Sequence, residues 1–146
     1  DDMSAEEVVE YYSESREDGD RLFLLEQNGV LVGDADFRNI DADSAEYAIM
    51  IGARNLQGQG LGRKFTIMLH AWLFRGLGLD RVYVTILPAN RASVRLFEQL
   101  GYDADNSPRA RGLMDEEDDV TLSVGRAAFE KQHGAMMDEV HFAARK

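Results

Sequence analysis

The part of the sequence that most constrains the fold is a strand, a glycine-rich loop and an amphipathic helix in direct succession. The strand, at 46–52, is largely apolar on both faces, as expected of a strand in the middle of a sheet. Gly58, Gly60 and Gly62 then occupy alternate positions, and from Leu61 onward the apolar side chains recur at helical spacing. Such a loop exposes backbone N–H groups at the positive end of a helix dipole. The pattern therefore predicts a site for a phosphate-bearing ligand.

Periodicity and turn residues predict the other elements of the chain. Ser4 and Glu7 form a capping box, which predicts a first helix, and Asn28-Gly29 is typical of a two-residue hairpin. The predicted elements are a helix over 5–16, strands at 21–27, 30–40, 46–52 and 81–87, helices from Leu61 and from Asn90, a short strand at 111–114, a strand at 119–129 and a terminal helix over 130–146. A hairpin combined with strand–helix–strand crossovers predicts an α/β fold, with a mixed sheet and helices on both faces.

Size, composition and charge narrow the class of protein. The 146 residues suit one domain over 1–146, and the net charge of -11 argues against nucleic acid as a partner. The absence of Cys excludes thiolate ligands and Cys nucleophiles, and three scattered His residues give no reason to expect a metal. No apolar run approaches the length of a membrane span, and the acidic start does not resemble a signal peptide. We therefore expect a cytoplasmic protein with no membrane partner.

The acidic residues are unevenly distributed along the chain. Residues 1–20 contain nine acids and one base, and 115–119 is a run of five acids, so the remaining residues carry a net charge of +2. These two blocks are either solvated faces or a rim that attracts a cationic substrate.

The spacing of the glycines limits the kind of phosphate ligand. A nucleotide P-loop has the pattern G-x-x-x-x-G-K-[ST], and Thr66 is not at the position that this pattern requires. A dinucleotide fingerprint, G-x-G-x-x-G, requires a glycine at the position of Arg63. The spacing that is present is Q-x-x-G-x-G, at Gln57, Gly60 and Gly62.

In this position the motif resembles the acyl-CoA pyrophosphate loop of the GNAT N-acetyltransferase superfamily. The segment from Asn90 to Tyr102 is similar to a second motif of that family, N-x-x-[AS]-x-x-L-Y-x-x-x-G-[FY]. The strand before the loop is most like the ribosomal-protein and polyamine acetyltransferase branch, in which a Glu opens it. The resemblance covers roughly 21–125. It implies a sheet splayed at its centre, with acetyl-CoA as cosubstrate.

The resemblance also implies roles for individual residues. The loop would hold the pyrophosphate by its backbone, the end of the preceding strand would pair with the pantetheine arm, and residues at the second motif would contact the cofactor near the thioester. The implied cofactor-binding residues are Met50, Ile51, Gly52, Gln57, Gly58, Gln59, Gly60, Leu61, Gly62, Arg63, Asn90 and Ser93.

Acetyl transfer to an amine requires a group that takes the amine proton. Glu46 is the preferred base, because it opens the strand that leads into the loop, and Asp36 is the second candidate. Many relatives carry a Tyr at the position of Phe97 as the acid for the CoA thiolate. Tyr102 or Ser93 would replace it here, or water would protonate the thiolate, since a thiol pKa lies near about 8.5.

We therefore expect an N-acetyltransferase that moves acetyl directly to a primary amine of a peptide N-terminus, a polyamine or an amino-sugar, with a cationic acceptor favoured. The alternative is an acyl-CoA-sensing module of the same fold without turnover. Family members often form dimers, so a homodimer is an expected state. The family's first strand and helix are not recognised at the start of this sequence, so the acceptor side is predicted less closely than the cofactor side.

Overall fold

The computed structural model describes the backbone of residues 6–11, 20–51 and 60–140, and the side chains of the last two ranges. Within them, strands and helices alternate after an initial run of strands. The strands are β1 (Glu6–Tyr11), β2 (Arg21–Gln27), β3 (Val30–Arg38), β4 (Ser44–Ile51), β5 (Arg81–Ile86), β6 (Asp103–Ala104) and β7 (Val120–Gly125). The helices are α1 (Leu61–Ala71), continued by a π-helical segment Trp72–Leu77, and α2 (Arg91–Gln99), α3 (Pro108–Gly112) and α4 (Arg126–Met137).

All the described strands belong to one mixed sheet, in the order β1-β2-β3-β4-β5-β7-β6. β4 and β5 are parallel, and the other neighbours are antiparallel. β2 and β3 are joined through Asn28 and Gly29, whose φ angles of 54° and 80° suit the predicted two-residue turn. The mixed α/β sheet expected from the sequence is confirmed.

The sheet opens at its centre, between β4 and β5. Within the described residues these strands pair only where Ser44, Ala45 and Glu46 face Arg81, Val82 and Tyr83. On the outer sides, β3 stays paired with β4 as far as Ile51, and β5 stays paired with β7 as far as Ile86. The two halves of the sheet therefore diverge after Glu46. We call the opening between β4 and β5 the fork, and Glu46 lies at its closed end.

Helices cover both faces of the sheet. One face carries Phe37, Tyr47 and Val82 into the main core, where the buried sides of α1, α2 and α4 pack against them. On the other face, Tyr83 packs with Ala110 and Leu113, from α3 and its C-terminal end. Alternation along the strands places Glu46 on the α3 face, because its neighbour Tyr47 points to the core. No helix among the described residues is long and apolar enough to cross a membrane.

Two of the predicted elements are wrong in the described residues, and a third is shorter than predicted. The expected helix over 5–16 is a strand at Glu6–Tyr11, because the β-branched and aromatic residues there complete the otherwise open edge of β2. The expected strand at 111–114 is replaced by α3, which Ser107 caps by accepting a hydrogen bond from the Ala110 N–H at 3.3 Å. The strand expected over 119–129 ends at Gly125, where α4 begins.

Candidate active site

Glu46 lies at the closed end of the fork, where β4 last pairs with β5. Its register neighbours are Arg38 on β3 and Tyr83 on β5. The side chain is 9% exposed, so the carboxylate is largely removed from bulk water. A hydrogen bond of 2.7 Å from the Asn39 carboxamide nitrogen to Glu46 Oε1 supports it. The structure thus places the preferred base where the two halves of the sheet separate.

The surroundings of Glu46 favour a carboxylate that accepts a proton readily. Burial raises the pKa of Glu46 above its ordinary value, and the nearby charges of Asp115 and Asp36 act in the same direction. The Asn39 hydrogen bond and the charge of Arg38 oppose them in part. Since a general base works best when its pKa approaches the working pH, a raised pKa suits the predicted role.

Asp36, the second candidate, lies on the same face of the sheet as Glu46. It stands opposite Ala48 in the β3–β4 ladder, and its Oδ1 is 3.3 Å from Nη2 of Arg38. The side chain is partly buried. The structure therefore brings both candidate carboxylates and Arg38 together beside the fork.

The N-terminus of α1, the next described element after β4, has the backbone geometry that the predicted anion site requires. Gly60 precedes the helix with a φ of 77°, which glycine adopts readily, and it provides no side-chain cap. The first backbone hydrogen bond of the helix is donated by the Lys64 N–H to the Gly60 carbonyl at 3.0 Å. The N–H groups of Leu61, Gly62 and Arg63 are therefore outside the regular helical ladder.

The charges in the first turn of α1 fit an anion. Acidic residues usually occupy the first turn of a helix, because they complement its positive end. Here the first turn contains no acid and instead includes Arg63, followed by Lys64. This accumulation of positive charge is what a pyrophosphate would neutralise. Four residues expected to contact the cofactor, Gly52, Gln57, Gly58 and Gln59, lie outside the described residues.

Met50 and Ile51 border the open side of the fork. Their backbones pair with Asp34 and Gly33 of β3, on the side of β4 away from the fork. Because β5 has diverged from β4 at this level, no described strand pairs with the other side of β4, where an extended ligand could pair instead. The Met50 side chain is 66% exposed, which leaves room for contact with such a ligand.

Asn90 and Ser93 lie at the start of α2. Asn90 Oδ1 accepts a hydrogen bond from the Ser93 N–H at 3.2 Å and so caps the helix. The capping uses the carboxamide oxygen of Asn90, and the amide NH2 is the group that would serve the predicted cofactor contact. Ser93 is partly buried in the first turn of the same helix.

Tyr102 does not join the two carboxylates. Its ring is buried on the core side of the sheet, 5.1 Å from that of Phe97, and its hydroxyl is hydrogen-bonded to Nε2 of His70. Burial raises the pKa of Tyr102 well above its ordinary value. Phe97 is itself 4% exposed. A hydroxyl held in this way on the opposite face from Glu46 is poorly placed to protonate a thiolate in the fork.

The His70 imidazole gives a testable pH dependence. Burial lowers the pKa of His70 to about 3, so the folded protein holds it neutral while the unfolded chain binds a proton below pH 6.5. The free energy of unfolding should therefore fall by about 2 kcal/mol between pH 7 and pH 5 because of this group alone. In His70→Gln, urea titrations at the two pH values should show a smaller fall. An equal fall in both proteins would contradict this prediction.

The sequence interpretation missed two side chains near Glu46. Asn39 follows β3 with a φ of 51°, a conformation that Asn adopts more readily than most residues. Arg109, on α3, donates a hydrogen bond to the Asn39 carbonyl. An Asn at the end of a strand that leads into a turn was the available signal for the first, but nothing local marked the second. Within the described residues, no group of three or more His, Asp or Glu side chains is placed to hold a metal ion.

Comparison with known proteins agrees with this geometry. The family model described as an acetyltransferase (GNAT) domain matches residues 1–103. The mycothiol acetyltransferase of Thermobispora bispora is 37% identical over 87 residues, which are 56% of this chain and 29% of that protein. The chain spans 17%, 58% and 29% of the lengths of three curated relatives.

Solved structures share the fold at lower sequence identity. A mutant form of the spermidine/spermine N-acetyltransferase SpeG from Vibrio cholerae aligns with a TM-score of 0.67 and 21% identity, covering 80% of this chain and 70% of that one. The Campylobacter jejuni N-acetyltransferase PseH in complex with acetyl coenzyme A aligns with a TM-score of 0.63 and 18% identity, covering 76% and 71%.

Proposed function

The chain belongs to the GNAT acetyltransferase family, and from this we propose that it transfers an acetyl group from acetyl-CoA directly to a primary amine. The observation that carries the proposal is the fork between β4 and β5, with a buried carboxylate at its closed end and the N-terminus of α1 beyond its open end. This arrangement would supply a slot for an extended thioester and a base beside its reactive end.

In this proposal the cofactor is held mainly by backbone groups. The N–H groups of Leu61, Gly62 and Arg63 would bind the pyrophosphate, and the open side of β4 at Met50 and Ile51 would pair with the pantetheine arm. Acetyl-CoA, when bound, supplies an activated acetyl thioester. The part of the loop before Gly60 would complete the cradle.

Glu46 would take a proton from the ammonium form of the acceptor, so that the neutral nitrogen can form the new bond to the acetyl carbon as the bond from that carbon to the CoA sulfur breaks. A raised pKa makes the Glu46 carboxylate a stronger proton acceptor than an exposed Glu. Because the sequence contains no Cys, a Cys-linked acyl-enzyme is excluded, which favours direct transfer. Since Tyr102 is engaged with His70 in the core, the CoA thiolate would take its proton from Ser93 or from water.

We propose that the acceptor is a cationic amine. The acidic run Asp115–Asp119 follows α3, and Asp115 is near enough to Glu46 to raise the pKa of Glu46. This run is folded back on itself, because Asp119 Oδ2 accepts hydrogen bonds from the N–H groups of Asp115 and Glu116 at 3.1 and 3.0 Å. It therefore keeps its carboxylates close together, with Asp115 near the proposed base. The named activity of SpeG on spermidine and spermine makes polyamines the first compounds to test, followed by amino-sugars and peptide N-termini.

Calorimetry with acetyl-CoA and a free-thiol assay on a panel of amines test this function. We expect acetyl-CoA to bind and polyamines to release thiol, with a KM for the amine that rises as salt screens the acidic run. Binding without thiol release on any amine would favour an acyl-CoA sensor instead. If acetyl-CoA neither binds nor raises the melting temperature at millimolar concentration, the cofactor assignment is wrong.

A further inference from the structure

A chain of contacts leads from α3 across the β3–β4 turn. The Arg109 Nε donates a hydrogen bond to Ser44 Oγ at 3.3 Å, and its Nη2 donates to the carbonyl of Asn39. The same Nη2 lies 3.5 Å from Asp41 Oδ2. One guanidinium therefore contacts the beginning, the middle and the end of this turn.

The turn has a second set of bonds that fixes its shape. Asp41 Oδ1 accepts hydrogen bonds from the N–H groups of Asp43 and Ser44, at 2.9 and 2.7 Å. These bonds, together with Arg109, hold the backbone that carries Asn39 in its left-handed conformation. In that conformation the Asn39 carboxamide reaches Glu46, at 2.7 Å from Oε1.

We propose that Asn39 and Arg109 are positioning residues for Glu46. Asn39 holds one carboxylate oxygen and leaves the other for the acceptor proton, while Arg109 fixes the turn from which Asn39 reaches. This inference rests on the proposed function only in treating Glu46 as the base, since the contacts themselves belong to the described structure.

The proposal predicts a direction for the pH profile. The groups around Glu46 are Asp36 and Arg38 on β3, Tyr83 on β5 and Asp115 after α3. In addition to these groups, the hydrogen bond from the Asn39 side-chain amide favours the charged carboxylate, so its removal should raise the pKa of Glu46 further. A base is active when deprotonated, and therefore the rise of kcat/KM with pH should move to higher pH.

The test uses two variants and a matched control. Asn39→Gly removes the carboxamide and tolerates the positive φ, and Arg109→Gln removes the guanidinium from the turn. We expect Asn39→Gly to lower kcat at the acidic end of the profile by about tenfold, with the KM for acetyl-CoA unchanged, and Arg109→Gln to act in the same direction. Arg111→Gln removes the same charge from an exposed position on α3, and it should leave the profile unchanged.

A readout without turnover separates this inference from the proposed function. The protonation of Glu46 can be followed by NMR through the chemical shift of its carboxyl carbon in 13C-labelled protein. The Glu46→Gln variant identifies that signal. An upward shift of the Glu46 pKa in Asn39→Gly supports the inference, whereas an unchanged Glu46 pKa, or an equal effect of Arg111→Gln, overturns it. If no amine is acetylated by the unmodified protein, the proposed function fails, and the titration still decides whether Asn39 controls Glu46.

Discussion

Glu46→Gln should lower kcat by about 100-fold or more at pH 7 while leaving the affinity for acetyl-CoA unchanged. The substitution keeps the size of the side chain and an oxygen that can accept the hydrogen bond from Asn39, but it removes the group that takes the amine proton. Loss of a general base typically costs 10²- to 10⁴-fold in rate. The rise of kcat with pH that Glu46 produces should disappear as well. Steady-state kinetics from pH 5.5 to pH 9 and calorimetry with acetyl-CoA measure both effects.

Asp36→Asn is the matched control for this experiment. Asp36 lies on the same face beside Glu46, but its carboxylate is paired with Arg38 at 3.3 Å. Its replacement should change kcat by less than tenfold and should retain the rise of kcat with pH. A larger loss in Asp36→Asn than in Glu46→Gln would transfer the role of base to Asp36.

The elements that could be predicted from the sequence are those determined by local pattern. The strand at β4, the amphipathic α1 and the turn at Asn28-Gly29 each follow from side-chain periodicity or from residues that favour one conformation. β1 could not be predicted in this way, because its strand conformation depends on pairing with β2, while its sequence also fits a helix with a capping box. Long-range pairing overrides local preference in that segment.

The candidate site was predictable to a similar extent. Glu46 and the helix N-terminus at Gly60 were found because each lies next to a motif in the chain. The hydrogen bond from Asn39 depends on how the β3–β4 turn closes, and the contact of Arg109 joins residues far apart in sequence. The position of Tyr102 was also unpredictable, because its distance in sequence from the second motif does not reveal on which side of the sheet its hydroxyl lies.

Gly62→Asp should weaken acetyl-CoA binding by about 100-fold, on the order of 3 kcal/mol, without destabilising the free protein. Among the described residues, a Cβ at Gly62 would meet only Leu96 Cδ2, at 3.6 Å, so the side chain has room beside them. The new carboxylate would lie in the first turn of α1, where it satisfies the helix dipole and repels a pyrophosphate. The carboxylate near the N-terminus also stabilises the free helix by about 0.3–1 kcal/mol through the helix dipole. Binding and stability should therefore change in opposite directions, which calorimetry and thermal unfolding measure separately.

Gly62→Asn separates the charge from the shape in this prediction. Asn has nearly the same size as Asp and gains a similar helix propensity, but it carries no negative charge. The difference in acetyl-CoA affinity between the two variants is therefore the effect of the added negative charge. If both variants lose the same affinity, the effect is steric, and the dipole and the charges of Arg63 and Lys64 do not hold the ligand. If neither variant loses affinity, the pyrophosphate does not bind at the N-terminus of α1. A carboxylate in the first turn of α1 would compete with bound phosphate oxygens for the same N–H groups.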